Sequence, residues 1–355
     1  MKIRVLVTDD SPTVRARLAE LLGADPDFEV VAQAENGKQA IELCRDLRPD
    51  VATLDMMMPV LSGLAATEYI MAYNPTPILI VSSSNNRGDV FKSCEALAAG
   101  AVDILEKPDG TEPDGQWERK FIAAVKMVSR IKVITHPRAK IQPRALPVAT
   151  ASPRGNEGGP YRLIAMGAST GGPAAVLQIL KGLDPGFPLP ILLVLHIGRL
   201  FSAGLAEWLD GQSSIRVSTA VDGEPLPERG KARILLAPPD RHLVIDGNRL
   251  RLTEAPERHS CRPSVDVLFE SAARTWQERA VGCLLTGMGK DGAEGLLEMK
   301  KAGAWTLAQD EDSSVVYGMP LEAARLGAAR QILPLAEVAP TLSILASARR
   351  FEGRS

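Results

Sequence analysis

Ser169 lies inside a glycine-rich turn, "IAMGASTGGPAA" (Ile164–Ala175), between an apolar run and a helical one. Such a turn can cradle a phosphate, or it can present a nucleophile at a helix N-terminus, where N–H groups and the helix dipole favour developing negative charge. A dinucleotide loop wants glycine at its third position, and Ser169 stands there instead. The next strand, "PILLVLHI", ends in His196 and not in the acid that would hold a ribose. The pattern that does match is G-x-S-x-G, a serine on a tight strand-to-helix turn.

A second glycine loop competes with the first. "GMGKDG" (Gly287–Gly292) is a formal G-x-G-x-x-G between the strand "AVGCLLT" and the helix "AEGLLEMKKAG", and Asp310 follows at nearly the distance of a ribose contact. Asp291, however, puts a carboxylate where pyrophosphate should rest, and Lys290 offsets it only partly. Spacing alone leaves an NAD-type oxidoreductase open beside a serine hydrolase. The hydrolase needs a base and an acid to orient it, and there are only four histidines. His136 falls in a proline-rich stretch; His242 and His259 fall in polar, proline-flanked turns, which suggests surface or substrate-contact roles. His196 closes the strand next after the serine's. Asp291, one strand-to-helix turn further along the sheet, can then orient its imidazole. The order Ser…His…Asp is not that of α/β-hydrolases, so the G-x-S-x-G match would be convergent.

The first half of the chain carries a different set. Asp9 and Asp10 end the first apolar run, Asp55 ends the third, Ser82 the fourth, and Lys107 follows the fifth. Beyond the carboxyl ends of parallel strands such groups meet at one sheet edge. Three crowded carboxylates make sense around a hard cation such as Mg²⁺, with Lys107 as a mobile point charge and Asp55 able to attack phosphorus. Helix capping by Asp9 and Asp10 explains one acid per helix, but not the acids together with Ser82 and Lys107.

These groups need elements to hold them. Up to about residue 133, the runs "IRVLVTD", "EVVAQA", "VATLDM", "PILIVS" and "VDILE" alternate with helical periods such as "GKQAIELCRDL", and a helix around Trp117–Ile131 closes the series. Residues 134–159 are rich in Pro, Arg, Gly and Ala without periodicity, which predicts a linker. From 160 to 348 a second series follows, with "RLIAMG", "PILLVLHI", "ARILLAP", "AVGCLLT" and "AWTLAQ" as strands. The fold class is α/β twice over: a five-stranded parallel sheet, then a doubly wound, mostly parallel one.

Composition removes several classes. The chain has 355 residues, 45% hydrophobic and 24% charged, as an ordinary globular protein does. A net charge of −2 gives no electrostatic footprint for nucleic acid. "MKIRVLVTDD" has too short an apolar run for a signal peptide, and no uncharged stretch could span a bilayer. The four cysteines (Cys44, Cys94, Cys261, Cys283) show no C-x-x-C spacing, which points to packing residues in a reducing cytoplasm.

The acids, Ser82 and the Lys107–Pro108 pair resemble the flavodoxin-like receiver domain of response regulators across residues 1–133. That resemblance implies phosphorylation of Asp55 by a sensor histidine kinase. It also implies Mg²⁺ held by Asp10, Asp55 and the Met57 carbonyl with Asp9 in the outer shell, and Ser82 as the switch hydroxyl. Ile104 stands where many receivers carry a switching aromatic. Residues 160–348 resemble the catalytic domain of the chemotaxis protein-glutamate methylesterases, the CheB family, through "IAMGASTGGP", "LLVLHIG", "LAPPDRHL", "RPSVDVLFESAA", "LLTGMGKDGAEGL" and "AQDEDSSVVYGMP" in that order. The implied activity is hydrolysis of glutamyl γ-methyl esters on methyl-accepting chemoreceptors, with deamidation of glutamines as a second activity. It implies Ser169 as nucleophile, His196 as general base and acid, Asp291 as its orienting partner, the Met288 N–H as oxyanion donor and Thr170 as the nucleophile's companion. No cofactor is implied for this step, and the kinase is of the chemotaxis type. In this family the unmodified receiver covers the esterase site and phosphorylation weakens that inhibition. Arg199 and Leu200 replace a usual Pro-Gly pair, and Cys261 stands where a histidine is common. A catalytically silent regulator that only binds receptors or phosphoryl groups is the remaining reading of another class.

Overall fold

The structure is a computed structural model that describes residues 1–83, 87–108, 115–131, 133 and 160–347. The chain divides into two units, Met1–Val148 and Ala149–Ser355. The division falls in the 134–159 span predicted as a linker; those residues, His136 among them, lie outside the described ones.

The first unit runs β1 (Ile3–Thr8), α1 (Pro12–Ala24), β2 (Phe28–Ala34), α2 (Gly37–Leu47), β3 (Val51–Leu54), α3 (Gly63–Tyr73), β4 (Ile78–Ser82), α4 (Arg87–Ala98), β5 (Asp103–Glu106) and α5 (Gln116–Val128). The five strands form one sheet in the order β2-β1-β3-β4-β5, every pair parallel. Helices cover both faces, so β3 and β4 are buried along their whole length and read as continuous apolar runs. Ser11, and neither Asp9 nor Asp10, caps α1: its hydroxyl accepts from Val14 N–H, with Pro12 in the first turn. The acids are thereby left for other work.

The second unit continues with β6 (Leu163–Ala168), α6 (Gly172–Gly182), β7 (Ile191–Leu195), α7 (Arg199–Gln212), β8 (Val217–Thr219), β9 (Ile234–Leu236), β10 (His242–Asp246), β11 (Arg249–Thr253), α8 (Val265–Trp276), β12 (Ala280–Leu284), α9 (Ala293–Lys301), β13 (Trp305–Gln309), α10 (Met319–Arg325), β14 (Gln331–Leu333) and α11 (Leu335–Ser347). Seven strands make a parallel sheet in the order β14-β13-β12-β6-β7-β9-β8, while β10 and β11 form a separate antiparallel hairpin. Its central strands β6, β7 and β12 are fully buried. The chain starts at β6, winds outward through β7 and β9, then returns to the other side for β12, β13 and β14. That reversal puts the switch point, and the crevice it opens, between β6 and β12.

Four strands go unrecognised in the sequence. β8 and β14 are three residues each and too short to show a period. The β10–β11 hairpin is signalled only by "DG" at Asp246–Gly247, the latter at φ +59°. His242 is the clear correction: it is no turn or surface residue but the fully buried first residue of β10. Its Nδ1 accepts from Ser264 N–H at 3.1 Å and its Nε2 donates to the Pro256 carbonyl at 3.1 Å, so both nitrogens hold loops together.

Candidate active site

In the second unit, β6 pairs with β7 in the register Ala168↔Leu195, so Ser169 and His196 leave adjacent strand ends side by side. His196 N–H donates to the Ala168 carbonyl at 3.1 Å, which carries the pairing up to the histidine. The serine turn is closed by Gly172 N–H donating to Ser169 O at 2.7 Å. Ser169 N–H in turn donates to Thr286 O at 3.0 Å, bringing the loop after β12 against it. Only glycine permits that approach at residue 287: an added Cβ would lie 2.4 Å from Met319 Sδ and 2.7 Å from Ser169 Cβ.

Asp291 is the best-anchored group of the set. It is 2% exposed, and its Oδ1 accepts from the Ser264 hydroxyl at 2.7 Å and Asp266 N–H at 3.1 Å. Its Oδ2 accepts from Val265 N–H at 2.7 Å and lies 3.0 Å from His196 Nε2. Ser264 also caps α8, so the carboxylate sits on the N-terminus of α8 rather than on the helix that follows it in sequence. Burial alone would raise the Asp291 pKa, yet the bonds from His196, Ser264 and Val265 hold it below the ordinary carboxylate value. For His196, burial pulls downward, but the Asp291 bond and the nearby Cys261 thiol outweigh it and raise the pKa to about 9.

With Nε2 engaged by Asp291, Nδ1 is the nitrogen left for other work, and Cys261 Sγ lies 3.9 Å from it. Among the described residues the Ser169 hydroxyl makes no hydrogen bond to the ring; catalytic contacts often tighten only when substrate arrives. Thr170 is buried, and its carbonyl accepts from the Thr286 hydroxyl at 3.0 Å. Met288 is 59% exposed, and its N–H donates to no acceptor among the described residues.

Three supports were not singled out from the sequence. Ser264 is legible as a cap before "VDVLFESAA", but its bond to Asp291 crosses from one loop to another. Thr286 and Gln309 are the others: Gln309 Oε1 accepts Thr286 N–H at 2.9 Å and so fixes the loop against β13. Asp310, the ribose candidate, closes its own turn by accepting from Ser313 N–H at 3.0 Å. His259 pairs with Asp266 at 3.1 Å; burial and the Asp291 charge lift Asp266 to about 6 although Gly295 N–H bonds it.

In the first unit the strand ends bring the acids together as well. Asp9, Asp10 and Asp55 each present a carboxylate oxygen within 4.8 Å of the other two. Lys107 Nζ lies 2.8 Å from Asp9 Oδ2 and 2.9 Å from Asp55 Oδ2. Asp55 Oδ1 accepts from Met56 N–H at 2.7 Å. Burial raises the pKa of Asp9 despite Lys107; burial lowers that of Lys107, but the two carboxylates more than reverse it. Asp9 Oδ2 is buried, and Lys107 is the charge it faces. Ser82 is fully buried at the end of β4, and Ile104 lies partly buried against the core beside it in register with Ile80.

Comparison with known proteins covers both units. Residues 164–342 match the family model of the CheB methylesterase, and residues 5–112 match that of the response regulator receiver domain. A protein-glutamate methylesterase/protein-glutamine glutaminase of Anaeromyxobacter dehalogenans is 44% identical over 95% of this chain and 95% of its own length. One from Nitrosospira multiformis is 42% identical over 98% of both. Among solved structures, the catalytic domain of Thermotoga maritima CheB methylesterase is 32% identical, with TM-score 0.49, over 52% of this chain and 98% of that one.

Proposed function

Because this chain belongs to the CheB methylesterase family, a family of carboxylic-ester hydrolases, and carries a response-regulator receiver, we propose that it hydrolyses glutamyl γ-methyl esters on methyl-accepting chemoreceptors. Deamidation of receptor glutamines is the second activity of this reading, after the double name its relatives bear. The observation that carries it is the relay His196–Asp291, locked at 3.0 Å beside the strand end that presents Ser169.

In the proposed mechanism Ser169 Oγ attacks the ester carbonyl carbon and its proton passes to His196 Nδ1. Asp291 keeps Nε2 protonated and holds the imidazolium that forms. The oxyanion meets backbone donors, the unengaged Met288 N–H being the candidate, with Thr170 as the nucleophile's companion. Methanol leaves with the proton that His196 returns. Water then attacks the acyl carbonyl carbon, giving its proton to His196, which returns it to Ser169 Oγ as the acyl–oxygen bond breaks and the glutamate carboxylate is released. This step draws on protein groups and water alone. Ser169→Ala should lower methanol release from methylated receptor by at least about a thousandfold while leaving phosphorylation of Asp55 intact; retained release would overturn the assignment.

We assign Asp55 as the phosphoryl acceptor, served by a sensor histidine kinase of the chemotaxis type. The acid cluster fits Mg²⁺: Asp10, Asp55 and the Met57 carbonyl would hold it, with Asp9 behind them. When bound, Mg²⁺ supplies positive charge opposite the phosphoryl oxygens. Lys107 orients the Asp55 carboxylate and adds a second positive charge, and Ser82 is the hydroxyl that turns toward the modified side chain. Phosphorylation then raises the esterase rate, linking kinase activity to receptor demethylation in chemotactic adaptation. A cytoplasmic location follows from this reading; among the described residues no helix is long and apolar enough to cross a membrane.

A further inference from the structure

The free nitrogen of His196 faces a thiol, and that pairing carries a regulatory chemistry beyond the hydrolysis. Cys261 Sγ lies 3.9 Å from His196 Nδ1 and 3.4 Å from the His259 carbonyl. The other three cysteines are buried, with pKa values pushed up to about 12 by burial; Cys261 is the half-exposed one. One donor atom each from His196, Cys261 and Asp291 falls within 4.8 Å of the others.

We propose that His196 and Cys261 form an inhibitory site for a borderline-soft divalent cation, Zn²⁺ above all, which shuts off the esterase by occupying its base. Imidazole nitrogen with thiolate sulfur is the donor set that selects such a cation over Mg²⁺. Bonds of about 2.0 and 2.3 Å at a tetrahedral angle put N and S about 3.5 Å apart, a spacing that a small rotation of Cys261 reaches from the one observed. Asp291 does not need to ligate. Its bond to Nε2 fixes the ring and its tautomer, with Nδ1 turned to the metal, as a carboxylate behind a zinc-bound histidine does. Water completes the coordination. On binding, the Cys261 S–H bond is exchanged for a sulfur–metal bond and the proton goes to solvent. His196 Nδ1 then has no lone pair left for the proton of Ser169. The turn that supplies Cys261 is closed by paired backbone bonds, Arg258 N–H to the Cys261 carbonyl at 3.2 Å and Cys261 N–H to the Arg258 carbonyl at 2.9 Å, and His196 N–H bonds the Ala168 carbonyl at 3.1 Å, so both ligands stand on anchored backbone. The neighbouring group His259–Asp266–Asp291 makes no rival site, because the Asp266 carboxylate is already taken by Gly295 N–H, Arg258 and His259.

The effect on rate rests on the esterase reading; the metal site itself does not. The test uses the full chain in excess Mg²⁺, which keeps the acidic pocket of the receiver supplied. Zn²⁺ should inhibit methanol release from a γ-methyl-glutamyl peptide, a chelator should restore it, and Cys261→Ser should need at least about tenfold more Zn²⁺ for half-inhibition, each rate scaled to its own metal-free value. Co²⁺ should give a thiolate-to-metal charge-transfer band in the wild type and in Ser169→Ala, and none in Cys261→Ser. Equal Zn²⁺ sensitivity of the two proteins, or no such band in the wild type, overturns the site. A Cys261-dependent band in a chain that releases no methanol upholds the site and refutes the esterase instead.

Discussion

Asp291 meets four donors within about 3 Å, and two of them are backbone N–H groups at the start of α8. Asp291→Asn replaces an acceptor by an amide whose NH₂ faces a donor, so the His196 ring loses both its charge partner and its tautomer. The expected result is a fall in kcat of about 10³–10⁴-fold with substrate binding little changed, read from steady-state methanol release. The pH profile follows from the same pair. In the proposed mechanism His196 must be neutral to accept a proton, and its pKa stands at about 9. Thus kcat/KM should climb through neutral pH and level off above about 9; a plateau beginning near the free-histidine value would contradict the ion pair. Stability moves the opposite way. A histidine raised from 6.5 to about 9 contributes fully below 6.5 and loses its contribution as pH rises through about 9. Asp291, lowered from 3.8, contributes above that value and fails in acid. Thermal melts should therefore show the His196–Asp291 term between those limits, with Ser169→Ala as an unaffected control.

Two loops carry their function at the scale of the element. Gly287 lets the β12 loop lie on Ser169, and Gly287→Ala would drive its methyl group into Ser169 and Met319. Displacing the nucleophile by an ångström costs about a hundredfold in rate, so this variant should fold, keep its far-ultraviolet circular dichroism and lose methanol release by about that factor. In the receiver, Val60 has φ +66° on an exposed loop after Asp55, a conformation that a β-branched side chain resists. Val60→Gly removes a left-handed penalty of about 1–2 kcal/mol and adds backbone entropy of about 0.5–1 kcal/mol, so the receiver transition should gain about 1 kcal/mol in a calorimetric scan. Much at this scale was legible beforehand. The buried runs around Leu6, Leu54, Ile164 and Leu193 announced their strands, and strand ends located Asp9, Asp55, Ser169 and His196. What stayed hidden was whatever depended on contact between distant segments. His242 looked like a turn residue because prolines precede it, whereas its burial comes from packing under the loop before α8. Ser264 declared its cap but not its bond to Asp291, since a cap is local and that bond joins two loops.

For the whole molecule, the consequence of two modules on one chain is that one chemical event can govern another. Phosphorylating the full chain with a small phosphodonor in Mg²⁺ should raise its esterase rate, Asp55→Asn should abolish the response, and a fragment spanning 155–355 should exceed the unphosphorylated full chain. A fragment no faster than the full chain would rule out inhibition by the receiver. The placement of β6 has a temporal consequence as well. It is the first strand of its unit to be made, yet it ends up in the middle of the sheet, waiting for β12 to pair along its open side. During translation the serine emerges early, its histidine soon after, and the acid only when most of the unit has left the ribosome. If the proposed triad is right, a growing chain carries the receiver complete and its serine idle, and hydrolytic competence is among the last properties it acquires.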